Sequence, residues 1–165
     1  MTRAWVAIGG NVDPERRLLQ AARLLHGRFP DARFSRCYRN PACGFDGADF
    51  YNAAATFDTA LAVPELVAAL HAIEELCGRG RTDPKWAPRV MDIDLLAYGD
   101  ATGRFPGATL PRPDLTRRAY MLGPMAELAP AWRHPLAGRT LAELWSELAP
   151  AAPPLTDTGL DLNAA

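Results

Sequence analysis

Asp92 and Asp94 flank Ile93 in the run Val90-Met-Asp-Ile-Asp-Leu95, where acidic and apolar residues alternate. In an extended strand alternate side chains share a face. Both carboxylates therefore project to one side, with Cα atoms about 6.5–7 Å apart, while Met91, Ile93 and Leu95 take the other. Two carboxylates so placed can hold a pair of Mg²⁺ ions about 3.5–4 Å apart and clamp a polyphosphate. The preceding segment, residues 79–89, carries Arg79, Arg81, Lys85 and Arg89 against the single acid Asp83, on a loop stiffened by Pro84 and Pro88. Arginines in such a loop can take phosphate oxygens two at a time and stabilise charge that develops during transfer. Taken alone, the run would also suit a half-buried strand with a solvated acidic face. The basic loop beside it shifts the balance towards phosphate chemistry.

No glycine-rich phosphate loop of the Gly-x-x-x-x-Gly-Lys-Ser/Thr type, no Gly-x-Gly-x-x-Gly, no His-Glu-x-x-His and no Gly-x-Ser-x-Gly occurs. Phosphate recognition must then rest on side chains and metal. Gly9-Gly10-Asn11 could offer backbone N–H groups to an anion, but a turn between strand and helix needs such residues in any case. Phe50-Tyr51-Asn52 and Tyr120 supply aromatic faces that could sandwich a flat heterocycle, with the Asn52 amide pairing a donor and an acceptor on its edge. Aromatic residues of this kind more often fill a core. His26, His71 and His134 are scattered, and a surface role is expected for His26 and His134.

The 165 residues carry 18 Lys+Arg against 19 Asp+Glu, a net charge of −1. Such a balance argues against a general nucleic-acid binder, which needs clustered phosphate-neutralising cations. Cys37, Cys43 and Cys77 form no Cys-x-x-Cys pair and read as reduced thiols. No apolar run approaches the ~18 residues of a membrane span. The expectation is a cytoplasmic protein, monomeric, with no nucleic-acid or membrane partner.

The elements that must position these groups follow from periodicity. Trp5 to Ile8 reads as a strand. Asp13-Pro14-Glu15 then gives an N-cap, a first-turn proline and an acid ahead of Leu18, Ala21, Ala22 and Leu25, predicting a helix over about 14–27. Residues 32–38 and 50–58 read as strands. Leu66, Leu70, Ile73 and Cys77 mark a helix over about 64–77 that stops at Gly78. Residues 90–98 form a fourth strand, and helices are expected near 117–128 and 141–148. The order β-α-β-β-α-β predicts an α+β, ferredoxin-like antiparallel sheet with helices on one face, plus additional C-terminal helices. Residues 1–148 form one domain. Residues 149–165, with Pro150, Pro153 and Pro154, are expected to be a partly ordered tail.

Over about residues 4–145 the chain resembles the hydroxymethyl-dihydropterin pyrophosphokinases of folate biosynthesis. The resemblance rests on Ala7-Ile-Gly-Gly-Asn11, Tyr38-Arg-Asn-Pro41, Phe50-Tyr-Asn-Ala-Ala54, Ile73-Glu74, Gly78-Arg79 and above all Trp86-Ala-Pro-Arg89-Val-Met-Asp92-Ile-Asp94-Leu95. Further on, Leu110-Pro-Arg-Pro-Asp-Leu115 and Arg118-Ala-Tyr120-Met-Leu122-Gly-Pro124 keep the family's order.

The resemblance implies transfer of the β,γ-pyrophosphoryl group of ATP to the hydroxymethyl group of 6-hydroxymethyl-7,8-dihydropterin, with two Mg²⁺ ions held by Asp92 and Asp94 and AMP released. Arg79, Arg89, Asp92 and Asp94 would be the catalytic residues. His71, Glu74, Arg79, Arg81, Trp86, Arg89, Leu95, Thr109, Arg112 and Arg118 would contact ATP. Asn40, Pro41, Cys43, Phe50, Asn52, Asp92 and Tyr120 would form the pterin pocket. The chain departs from the family pattern in having Gly10 for serine, Asn40 for threonine, Ala87 for glycine and Arg112 for a histidine that contacts ATP phosphate. Those departures leave a second enzymatic reading, a paralogue with another pterin-like substrate. A third reading is a ferredoxin-like nucleic-acid-binding module that uses residues 79–89 as its basic patch.

Overall fold

The structure, a computed structural model, describes residues 1–41, 48–78 and 90–165. Its elements are β1 (Thr2–Gly10), α1 (Pro14–Arg28), β2 (Arg33–Phe34), β3 (Tyr38–Asn40), β4 (Phe50–Thr59), α2 (Val63–Leu76), β5 (Asp92–Tyr98), β6 (Gly103–Phe105), β7 (Ala108–Leu110), α3 (Ala119–Leu128), α4 (Leu141–Leu148) and β8 (Thr156–Asp157). Short 3₁₀ turns lie at Pro113–Thr116, Ala149–Ala151 and Leu162–Ala164. The main sheet runs β5-β1-β4-β3-β8, with β2 also paired to β4, and its pairs are antiparallel. With β2 and β3 taken as one interrupted strand, the order is fourth, first, third, second, which agrees with the expected ferredoxin-like arrangement.

Side-chain alternation sorts the sheet into two cores. Val6, Ile8, Ala53, Ala55, Phe57, Ile93 and Leu95 face α1 and α2, meeting Leu18, Leu25, Leu66 and Leu70. Phe29 stacks on Phe57 with ring centroids 3.9 Å apart. The opposite face presents Trp5, Ala7, Ala54 and Leu96 to Leu115, Met121, Leu122 and Met125 around α3, with Leu141 of α4 behind. The C-terminal helices thus cover the second face of the sheet. Gly123 permits this close packing: a Cβ there would lie 2.9 Å from Leu155 Cδ1 and 3.0 Å from Trp145 Cη2.

Local chemistry departs from the sequence expectation in several places. Asp13 does not cap α1 with its side chain; it adopts a left-handed conformation (φ 47°) and binds Arg16 instead, Oδ2 accepting from Nε at 2.6 Å. The cap that does form is at α4, where Thr140 and Glu143 make a reciprocal capping box. Gly9 and Gly10 lie inside β1, paired with Asn52 and Tyr51. The expected strand over 32–38 is split at Ser35, whose hydroxyl accepts the Ala54 N–H in place of a strand neighbour. His134 is buried, not at the surface. Its Nδ1 accepts the N–H groups of Leu136 and Ala137 at 3.2 and 3.0 Å, and burial lowers its pKa. Burial also pushes the Cys37 thiol up to about 11 and raises that of Cys77. Both thiols therefore stay protonated and inert at neutral pH.

The C-terminal segment is docked in place of the partly ordered tail that its composition predicts. β8 extends the sheet beyond β3, Leu162 is buried, and the Asn163 amide bonds both backbone groups of Phe34, Oδ1 accepting at 2.8 Å and Nδ2 donating at 2.9 Å. An amide side chain here imitates a neighbouring strand, a device that proline-rich composition conceals. No helix among the described residues is long and apolar enough to cross a membrane.

Candidate active site

β5 is one of the two end strands in the sheet order of the described residues, and the acidic pair lies at its start. Asp92 and Asp94 are half-buried and alternate with buried Ile93 and Leu95, as the period-two pattern predicts. Their cross-strand partners on β1 are Gly9 and Ala7. Gly9 in turn faces Asn52, and Asn52 faces Tyr38. Asp92, Gly9, Asn52 and Tyr38 therefore form one row across four strands, on the face that α3 shares.

The row explains the glycine. A Cβ on Gly9 would sit 2.2 Å from Asn52 Oδ1, because the Asn52 amide lies across this position. Asn52 is buried, and its Nδ2 donates to Asn40 Oδ1; Asn40 Nδ2 donates to the Pro41 carbonyl at 3.2 Å. Two buried amides that hold each other are rigid, and such rigidity suits a group that reads the edge of a heterocycle. Phe50, opposite Asn40 in the β3–β4 ladder, is half-buried on the same face. Tyr120 enters from the first turn of α3 and packs against the cluster of Trp5, Ala7 and Ala54. Asn11, also buried, donates Nδ2 to the Ala48 carbonyl at 3.1 Å and so ties the end of β1 to the approach of β4.

Among the described residues no strand lies beyond the outer edge of β5, so its backbone groups there need other partners. Glu74 of α2 supplies one: it is buried, and Oε2 accepts the Ile93 N–H at 2.7 Å. The Arg112 N–H supplies another by donating to the Leu96 carbonyl at 2.8 Å. The acidic strand is thus pinned at two points along that edge. Along the same edge runs a small cleft lined by His71, Asp94, Leu95, Thr109 and Arg112 together with Val67 and Leu70. Arg112 Nη1 lies 3.6 Å from Asp94 Oδ1.

Of the residues singled out in the sequence, the structure therefore brings together two groups. Asn40, Phe50, Asn52, Asp92 and Asp94 share the α3 face with Tyr120. His71, Leu95, Thr109 and Arg112 line the cleft at the β5 edge, and Asp94 belongs to both groups. Glu74 sits behind β5, bonded to its backbone. Pro41 is exposed at the end of β3, and Arg118 is exposed at the start of α3, its carbonyl accepting the Met121 and Leu122 N–H groups. Cys43, Arg79, Arg81, Trp86 and Arg89 lie outside the described residues. Two roles are not evident from the sequence. Gly9 reads as a turn residue, although its strand continues through it. Glu74 is expected as an ATP contact, but its bond to the Ile93 N–H is not foreseen; its place four residues after Leu70 and one after Ile73, on the buried stripe of α2, is the available signal for a buried acid.

Fold and site together define a ferredoxin-like protein with a paired-carboxylate strand beside an amide- and aromatic-lined pocket. Residues 5–130 match the 7,8-dihydro-6-hydroxymethylpterin-pyrophosphokinase (HPPK) family. The chain is 38% identical over 144 residues to the 2-amino-4-hydroxy-6-hydroxymethyldihydropteridine pyrophosphokinase of a Synechocystis strain, covering 86% of this chain and 73% of that protein. It is 39% identical over 146 residues to the Pseudomonas aeruginosa protein of the same name, covering 86% and 89%. A crystal structure of wild-type Plasmodium falciparum HPPK-DHPS with SDX-DHP superposes over 90% of this chain with a TM-score of 0.66 at 14% identity; the chain spans 44% of that longer protein. The chain belongs to the 7,8-dihydro-6-hydroxymethylpterin-pyrophosphokinase family.

Proposed function

We propose that this chain transfers the pyrophosphoryl group of ATP to the hydroxymethyl group of 6-hydroxymethyl-7,8-dihydropterin, releasing AMP, in folate biosynthesis. The observation that carries the reading is the row Asp92–Gly9–Asn52. Two strand spacings, about 10 Å, separate the backbones of Asp92 and Asn52, and the Asn52 amide lies over the bare Gly9 between them to form a floor. A bicyclic heterocycle laid on that floor has its polar edge on Asn52 and its far substituent beside Asp92. Phe50 and Tyr120 supply aromatic surface on the same face.

Asp92 and Asp94 are hard oxygen donors on one face of a pinned strand, a donor set that fits Mg²⁺. Bound there, Mg²⁺ would neutralise phosphate charge and acidify the attacking hydroxyl. The chain's own residues do the rest. Asn40 and Asn52 orient the ring; Glu74 and the Arg112 N–H fix the strand that carries the acids; His71, Thr109 and Arg112 line the cleft in which the nucleotide is placed. Arg118 flanks the pocket. Leu95 contributes apolar contact in the cleft, and Pro41 and Cys43 border the pterin. Arg79, Arg81, Trp86 and Arg89 act on the triphosphate, with Arg79 and Arg89 assisting transfer and Trp86 helping to exclude water.

The test is Asp92→Asn. Turnover should fall by about 10³-fold, since metal stabilisation of transferring charge is worth several kcal/mol. Pterin affinity, measured by its fluorescence, should change by no more than a few fold. Near-normal turnover in this variant would sink the assignment.

A further inference from the structure

Three observations define what Arg112 does here. Its N–H is bonded to the Leu96 carbonyl at 2.8 Å, so its backbone is fastened to the strand that carries the acidic pair. Its Nη1 lies 3.6 Å from Asp94 Oδ1. Its Nε is buried with no hydrogen-bond partner among the described residues, while the side chain lines the cleft beside His71 and Thr109.

We infer that Arg112 is an internal counter-cation for Asp94, one that a divalent ion must displace before the site is loaded. This inference rests on the diphosphokinase reading of the site. A guanidinium at ion-pair distance from a metal-ligating carboxylate lowers the site's affinity for a second cation, because both draw on the same negative charge. The anchored backbone keeps the guanidinium within reach once it is displaced, and its five donors then turn to an anion in the cleft, where Nε has an acceptor to gain. Arg112 thus couples metal entry to nucleotide entry. Without nucleotide it opposes the metal, and with nucleotide its charge is taken up by phosphate.

The experiment is a Mn²⁺ titration of nucleotide-free protein followed by electron paramagnetic resonance, in wild type, Arg112→Gln and Arg112→His at pH 8, where a histidine is largely neutral. Either substitution should tighten Mn²⁺ binding about three- to fivefold, the range expected for removing a partly exposed ion pair. The predicted sign is a gain, which a damaged fold does not produce, and either variant alone suffices. In an Asp94→Asn background the gain should vanish. With a non-hydrolysable ATP analogue present it should shrink or reverse. Unchanged or weaker Mn²⁺ binding in the Arg112 variants, no Mn²⁺ binding in any protein, or a gain that survives Asp94→Asn would each overturn the inference. The titration needs neither pterin nor turnover. AMP production by the wild type tests the diphosphokinase reading separately.

Discussion

Glu74 gives its carboxylate to the backbone N–H of Ile93, 2.7 Å away, at the residue that separates Asp92 from Asp94. A buried acid on α2 thereby fixes the phase of the strand on which both candidate metal ligands ride. Glu74→Leu leaves that N–H buried without an acceptor, which costs about 1–3 kcal/mol. Urea denaturation should show a loss of that size. Glu74→Gln retains an acceptor oxygen and should recover most of the stability; equal losses in the two variants would contradict the role.

Gly9→Ala places a methyl group where the Asn52 amide lies. Because the contact involves a buried side chain that is itself bonded to Asn40, the amide pair must shift. A destabilisation of about 1–3 kcal/mol is expected for such overpacking. Pterin affinity should fall at least tenfold in a fluorescence titration while ATP-analogue affinity holds. A variant with unimpaired pterin binding would show that Asn52 does not need this floor.

What the sequence makes legible depends on the range of the contact. The alternation around Asp92 and Asp94 could be read directly, because period-two patterning is a local property of an extended chain. Leu66, Leu70 and Ile73 announced α2 in the same way. Gly9 could not be read correctly from its neighbours, since the reason for a glycine there is a side chain 43 positions away on another strand. The docked C-terminus is hidden for a related cause: the pairing of β8 with β3 and the asparagine side chain bonded to Phe34 are long-range contacts that composition does not encode. The same holds for the hairpin of β6 and β7, whose strands of three residues are too short for periodicity to reveal.

Asn163→Ala removes both bonds to Phe34, one to its N–H and one to its carbonyl. At about 0.5–1.5 kcal/mol each, the loss should be about 1–2 kcal/mol in a denaturant titration. Amide hydrogen exchange should quicken at β2 and β8. An unchanged midpoint would mean that these two bonds contribute nothing to the folded state.

His134 makes stability fall on the acid side. Burial depresses its pKa below the ordinary 6.5, so the unfolded chain takes up a proton more readily than the folded one. The imidazole's contribution is complete above about pH 6.5 and declines as pH falls below that value. Protonation also costs Nδ1 its role as acceptor for Leu136 and Ala137. Urea midpoints at pH 8 and pH 5.5 should differ less in His134→Asn than in the wild type. An equal difference would assign the acid sensitivity to other groups.

The central claim is the reaction itself, and phosphorus NMR of the protein with ATP, Mg²⁺ and 6-hydroxymethyl-7,8-dihydropterin addresses it most directly. The account predicts that AMP and a pterin diphosphate ester appear together, one for one, and that neither forms when the pterin is left out. Formation of ADP and a pterin monophosphate, or AMP release that does not need the pterin, would contradict it.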